Sequence, residues 1–326
     1  MTTERRFLTP MTHAETSMQP NLHFRCSVHD SCLRPVAGSG LYTSSDKNHF
    51  GEPAVQLYAL ADGYLMRFPR VADFTITPGL IDCRLYDPAL DYMVEVCLLG
   101  HVFSYYLELS GIIALHAGAI EVDGRAVLFA ADRTGGKSTL VASFVKAGFA
   151  LLADDISALA LTPEGVRCLH GFPQIKLTPD QAWRFLGREV NYPLVHPAFE
   201  KLSVPLEDLG RPATSPLPVA GIYLLAREQE AGDVEEAVRI TRLPAAEAVI
   251  HLARHSFLSL ILESQRGSRE FASTLPAHAV SDLRVGRFQR LARIASTVPV
   301  KHLSYTSGFQ HLPDLHRIIV GDSEGR

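Results

Sequence analysis

Apolar and polar residues alternate along this chain in two rhythms, and the rhythm changes near residue 87. From residue 23 to about 86 the runs HFRCSV, AVQLYALA, YLMRFPRV, ADFTITP and LIDCRLY are short, alternating or apolar. Turn formers such as Ala61-Asp62-Gly63 and Thr77-Pro78-Gly79 separate them, which predicts a small β-rich accessory region. Pro88 to Ser110 reads as a buried helix. Beyond it, Ala117–Val122 and Ala126–Ala130 read as strands around the turn Asp123-Gly124, and Lys137–Lys146 as a helix closed by Gly148. A strand over Phe149–Ala153 follows, then a hairpin of Ser157–Leu161 and Val166–His170. Thr178-Pro179-Asp180 opens a helix to Leu186, with proline favoured in the first turn. Asn191–Pro218 holds six prolines and no long period, which predicts a loop, either an inert connector or a cover over a site that touches the substrate. Then come a strand (Val219–Ala226), a polar loop (227–236), a strand (Val238–Leu243), and a helix from Pro244 to Arg254, after which His255 is expected to be structural. A helical stretch (Val280–Thr297), a strand (Val298–Tyr305) and a helix (Leu312–Val320) complete the series. Strands interleaved with helices predict an α/β fold, organised as a loose tail (1–22), the β-rich region (23–86) and a larger domain (87–326).

Composition narrows the options. In 326 residues, 47% hydrophobic content supports a packed core, and a formal net charge of −4 without Lys/Arg runs among aromatics argues against nucleic acid as a partner. Basic residues thicken at RVGRFQRLAR (284–293), which reads as the wet face of a helix whose other side carries Leu283, Phe288 and Leu291. The longest apolar segment, Tyr92–Ile120, is interrupted by Glu95, His101 and Glu108, each costly in lipid, so no membrane span is expected. Residues 1–22 lack the apolar core of a secretion signal. Five scattered cysteines (Cys26, Cys32, Cys83, Cys97, Cys168) without a C-x-x-C fit reduced thiols and a cytoplasmic protein without structural zinc. Cys168 and His170 are read as ordinary strand residues.

The chemistry concentrates between Leu115 and Leu159. A strand feeding the loop Ala131-Asp132-Arg133-Thr134-Gly135-Gly136 feeding a helix at Lys137 is an anion site, because free N–H groups and the positive end of the helix dipole converge there. Gly136, Lys137 and Ser138 fit the phosphate-loop pattern G-x-x-x-x-G-K-S/T. Ala131 stands where the first glycine belongs, and fits only with a negative φ or a shifted backbone. Lys137 would meet the outer phosphates of ATP, and Ser138, followed by Thr139, offers a hydroxyl to Mg2+. Asp154 and Asp155 end the next strand, 17 and 18 residues after Lys137. One carboxylate there can hold metal and the other can take a proton from an attacking hydroxyl. His116 precedes a strand and reads either as a hydrogen-bonded structural residue or as part of the site.

LHAGAIEVDGRAVLFAADRTGGKSTLVASFVKAGFALLADDISAL resembles the catalytic core of HPr kinase/phosphorylase: a histidine, a strand, a loop of the type G-x-x-G-x-G-K-S, a helix, and a strand ending in Ala-Asp-Asp. It resembles more closely the HPr-kinase-related proteins, some of which phosphorylate lasso-peptide precursors. There the similarity extends through LLGHVFSYYLELSGIIALHA, GFPQIKLTPD, EKLSVPL, VAGIYLLA and VPVKHLSY. The resemblance implies a phosphate-loop kinase core of the HPr kinase/PEP carboxykinase type with a short β-region first. It implies residues 131–139 on the nucleotide, Lys137 on the β- and γ-phosphates, Ser138 and Asp154 at magnesium, Asp155 as general base and His116 assisting it. Lys201 stands where related proteins carry a basic residue toward phosphate. The chain departs from the pattern at Ala131 and Thr134, where glycine is usual, and Arg133 adds a charge. GFPQIKL places Gln174 and Lys176 where the family carries a metal-binding glutamate in E-I-R-G, and the glycine-rich phosphorylase signature has no clear equivalent.

The expected activity is therefore ATP-dependent transfer of a phosphoryl group to a serine or threonine hydroxyl of a peptide or small protein, a lasso-peptide precursor being the substrate the resemblance implies, by a chain able to form homo-oligomers. The alternatives are a nucleotide-binding regulator with little transfer activity, and an HPr protein kinase. A PEP carboxykinase activity is disfavoured by the short chain and the absence of that enzyme's arginine cluster.

Overall fold

The computed structural model describes residues 22–29, 36, 39–196, 199–228, 238–256, 261 and 277–325. The expected tail up to residue 21, Cys32 and most of the polar loop 227–236 lie outside them. The protein is a mixed α/β structure, and its contacts divide it into two units, one ending at Tyr106 and including residues 277–282, the other formed by residues 107–256 and 283–325.

In the first unit, six strands form one sheet: β1 (His23–Val28), β2 (Ser39–Thr43), β3 (Gln56–Ala59), β4 (Tyr64–Phe68), β5 (Ala72–Thr77) and β6 (Leu80–Leu85), in the order β1-β6-β5-β4-β3-β2. Alternation along these short runs puts Leu57, Met66, Phe74, Ile76, Ile81 and Cys83 into a core that excludes water. Each large apolar side chain so buried contributes about 1.5–3 kcal/mol. The expected helix from Pro88 comes in pieces: a 3-10 turn (Pro88–Leu90), α1 (Asp91–Cys97), a π-turn (Leu98–Val102) and α2 (Phe103–Leu109). Asp87 caps its start by accepting the N–H of Ala89 at 2.9 Å.

The second unit is built on a nine-stranded sheet. Its strands are β7 (Ile113–Leu115), β8 (Ala117–Val122), β9 (Arg125–Ala130), β10 (Leu151–Ala153), β11 (Ser157–Thr162), β12 (Gly165–Leu169), β16 (Leu217–Glu228), β17 (Val238–Arg242) and β18 (Val300–Thr306). A separate three-stranded sheet holds β13 (Gln174–Leu177), β14 (Leu194–His196) and β15 (Phe199–Pro205). The helices are α3 (Lys137–Lys146), α4 (Pro179–Leu186), α5 (Ala245–Arg254), α6 (Ala277–Thr297, of which residues 283–297 belong to this unit) and α7 (Leu312–Ser323). At the middle of the large sheet, β16 runs parallel to both β9 and β18. After the exposed Arg125, the run AVLFA of β9 is apolar throughout because both faces are covered. Ala126, Leu128 and Ala130 face one core with Leu252 of α5 and Leu291 and Ile294 of α6. Val127 and Phe129 face another with Phe144 of α3 and Ile319 of α7.

Two expectations need correction. The six-proline stretch 191–218 is not a plain loop, since it contains β14, β15 and the start of β16. Leu202, Val204 and Leu206 point inward with period two, a signal masked by Pro205 between them and the prolines around them. The basic stretch 284–293 is not simply the wet face of α6 either. Arg287 is buried, whereas Val285 and Phe288 are 54% and 62% exposed. The cause lies elsewhere in the chain: Glu108 is fully buried, and Arg287 Nε donates to its Oε1 at 3.3 Å. A buried carboxylate demands a counter-charge, and that demand turns the arginine inward.

Candidate active site

Strand β9 ends at Ala130, and the loop 131–136 carries the chain into α3. Asp132 accepts the N–H of Gly135 at 2.9 Å through its carbonyl, closing a tight turn with Thr134 at its third position. Thr134 has φ 69°, a conformation that glycine adopts freely and a β-branched residue does not. Ala131 is not among the described residues of positive φ, so the condition on its Cβ is met. The room it takes is matched at Gly135, where an added Cβ would lie 2.8 Å from that of Ala131. Gly136, at φ 89°, is the residue before the helix, with the Tyr305 hydroxyl beside it. Tyr305 also donates to the carbonyl of Gly135 at 3.4 Å, fastening the loop to β18.

Because Thr134 is exposed and packs no core, its strained φ is a cost without a packing return. Thr134→Gly should therefore stabilise the protein by about 0.5–1 kcal/mol, the left-handed penalty less the extra entropy of glycine. The expected readout is a small rise in the thermal midpoint. An unchanged or lowered midpoint would argue that threonine is at ease there.

Lys137 and Ser138 begin α3 as buried polar residues, an uncommon start for a helix. Lys137 Nζ lies 3.1 Å from Asp155 Oδ1 and 3.9 Å from Asp154 Oδ1. Lys176 of β13 approaches from the other side, its Nζ 2.7 Å from Asp155 Oδ2. The backbone N–H of Lys176 donates to Asp154 Oδ2 at 2.9 Å. Asp154 Oδ1 is buried and accepts no hydrogen bond. Asp155 has φ 67°, and the N–H of Ile156 reaches the carbonyl of Asp154 at 2.9 Å, so the second aspartate sits at the apex of a tight, strained turn.

The two carboxylates are driven apart electrically. Burial works against ionisation of Asp155, but Lys137 and Lys176 outweigh it and hold its carboxyl below the usual range. Burial, and then the neighbouring Asp155 charge, raises Asp154. His116 joins this group through the backbone. Its N–H donates to the carbonyl of His255 at 2.6 Å, and Ser157 Oγ donates to the carbonyl of Ala117 at 2.8 Å, drawing the start of β8 against the turn after Asp155. Burial and then the Lys137 charge push the His116 imidazole down to about 4, so it is neutral at pH 7. Asp155, His255 and Lys201 also act on its charge.

The geometry thus gathers Lys137, Asp154, Asp155 and His116 at one end of the sheet. The other loop residues differ in exposure. Asp132 and Arg133 are exposed, and the Arg133 guanidinium lies 5.8 Å from the centre of the Phe199 ring. Thr139 Oγ1 accepts from Gln181 Nε2 at 2.7 Å. That same glutamine closes a capping box with Thr178, so the start of α4 also braces α3.

His255, expected to be structural, holds the backbone of His116 through its carbonyl. Two residues have no predicted role here. Lys176 stands in the sequence only as a replacement for the family's glutamate. Tyr305 lies within a stretch quoted for the resemblance, VPVKHLSY, but nothing in the local pattern ties it to a loop 170 residues away.

Among the described residues, no group of three or more His, Cys, Asp or Glu side chains forms a ready metal cage. A magnesium ion does not need one, since it keeps waters and takes one or two carboxylates together with phosphate oxygens. The open Oδ1 of Asp154 and the hydroxyl of Ser138 match that smaller demand. No helix of the described residues is long and apolar enough to cross a membrane. The chain matches no protein-family model, and no curated protein is significantly similar to it.

Proposed function

We propose that this protein is an ATP-dependent kinase that phosphorylates a serine or threonine hydroxyl on a peptide or small protein in the cytoplasm. In this reading the second unit is a phosphate-loop kinase core of the HPr kinase/PEP carboxykinase type. One observation carries it: the lysine that opens α3 after the glycine-bearing loop lies 3.1 Å from the aspartate that follows β10. A helix start that favours phosphate and a carboxylate that can take a proton are thereby within one side chain's reach.

The residues divide the work as follows. The amides of residues 131–138 and Lys137 bind the nucleotide's phosphates and stabilise charge on the γ-phosphoryl group. Magnesium, held by Ser138 and Asp154, would supply further charge neutralisation. Asp155 accepts the proton of the attacking hydroxyl. With ammonium groups at both its oxygens it is a weak base, and it becomes a stronger one when Lys137 turns toward the phosphates. His116, neutral and beside the carboxylate, can orient the hydroxyl or its proton. The acceptor is a ribosomal peptide precursor on the resemblance alone.

Incubation with Mg-ATP and serine-bearing candidate peptides is expected to give a product heavier by about 80 Da, one phosphate. A second reading, a nucleotide-binding regulator, is favoured by the double ion pair on Asp155. Mg-ATP binding with no product from any peptide would support that reading instead.

A further inference from the structure

We infer that the Lys176 ammonium takes the place of a second divalent metal ion, so that this site takes one metal and not two. The inference rests on the kinase reading for the nucleotide, but its core is a count of carboxylate oxygens. Asp155 offers two. Oδ1 is paired with Lys137 at 3.1 Å and Oδ2 with Lys176 at 2.7 Å. Asp154 offers two more, of which Oδ2 accepts the Lys176 N–H at 2.9 Å. Asp154 Oδ1, buried, without a hydrogen-bond partner and 3.9 Å from Lys137 Nζ, is the least engaged of the four.

When Lys137 turns to phosphate, Asp155 Oδ1 is released as well. Lys176 is anchored at its backbone, which lies in β13, pinned by Asp154 on one side and paired in register with Ser203 of β15 on the other. The residue two positions earlier is Gln174, an uncharged amide whose Oε1 already accepts from Ser203 Oγ at 3.0 Å. Among the described residues, no third carboxylate, histidine or cysteine joins the aspartate pair as a ready ligand group. A second dication would have to displace a cation 2.7 Å from Asp155 or sit beside it against like charge. Lys176 is in this sense a positioning residue: it touches the proposed base and fixes its orientation.

The test is a Mn2+ titration of the full chain, with bound ions counted by the electron paramagnetic resonance of free Mn2+, in the presence of a non-hydrolysable ATP analogue. The parent is expected to bind one Mn2+ per chain. Lys176→Met should gain a second, at least tenfold tighter than any further site in the parent, and Lys176→Arg should return the count to one. Lys176→Gln serves if the Met variant does not fold, as judged by circular dichroism. Two ions in the parent would overturn the inference, and so would a folded Lys176→Met or Lys176→Gln protein that still binds one. If the analogue fails to bind at all, the kinase reading falls, and the titration with Mn2+ alone then decides this point. A site gained on removing Lys176 supports it, and no gain overturns it.

Discussion

Asp155→Asn is expected to abolish phosphoryl transfer while ATP binding persists and strengthens. In the parent, two ammonium groups and two carboxylates gather at the end of β10 and β13, and their charges cancel. Removing one carboxylate leaves the group positive by one unit, which favours a polyanion. A gain of about tenfold in affinity corresponds to roughly 1.4 kcal/mol. The amide cannot take up the proton of an attacking hydroxyl, so the chemical step loses its acceptor. Lys137→Met should fail differently. It removes charge from the transition state and from the ground state alike, with transfer falling on the order of 10³-fold or more and ATP binding weakening too. Single-turnover mass spectrometry and calorimetric ATP titration separate the two patterns. An Asn variant that transfers phosphate as fast as the parent would remove Asp155 from the role of base.

The second large effect concerns stability and lies away from the loop. Arg287→Leu should destabilise the protein by about 3–5 kcal/mol, the usual cost of leaving a buried charge unpaired. Glu108 is fully buried, accepts the N–H of Ala114 at 3.2 Å and relies on Arg287 as its nearest counter-charge. Burial raises the Glu108 carboxyl, and Arg287, then Arg290, oppose that rise. The double variant Glu108→Gln/Arg287→Leu should recover most of the loss, because glutamine keeps the acceptor for Ala114 and drops the charge. Urea unfolding of the parent and the two variants checks this. A single variant within 1 kcal/mol of the parent would mean that water, not Arg287, satisfies Glu108.

Much of the site could be read from sequence because its signals are local. The helix over Lys137–Lys146 and the strand Ala117–Val122 fall where the pattern places them, and the aspartate pair follows a strand, though a shorter one than expected. Apolar runs, glycines and a lysine at a helix start act over a few residues, so a short window contains their cause. What escaped is non-local. The inward turn of Arg287 is dictated by Glu108, 179 residues earlier in the chain. The bond from Tyr305 to the loop, and the grip of Lys176 on Asp155, arise only when strands distant in sequence are brought alongside each other. The strands within 191–218 were hidden for another reason, since prolines weigh heavily in any local reading and here stand beside an alternating strand without abolishing it.

The fastening of Gly135 by Tyr305 bears on the order of events during synthesis. β16 must wait for β18 before its second parallel edge is filled, and the tyrosine that steadies the loop travels with that late strand. A nascent chain therefore carries the lysine, serine and aspartates of the candidate site before the strand that steadies their loop has been made.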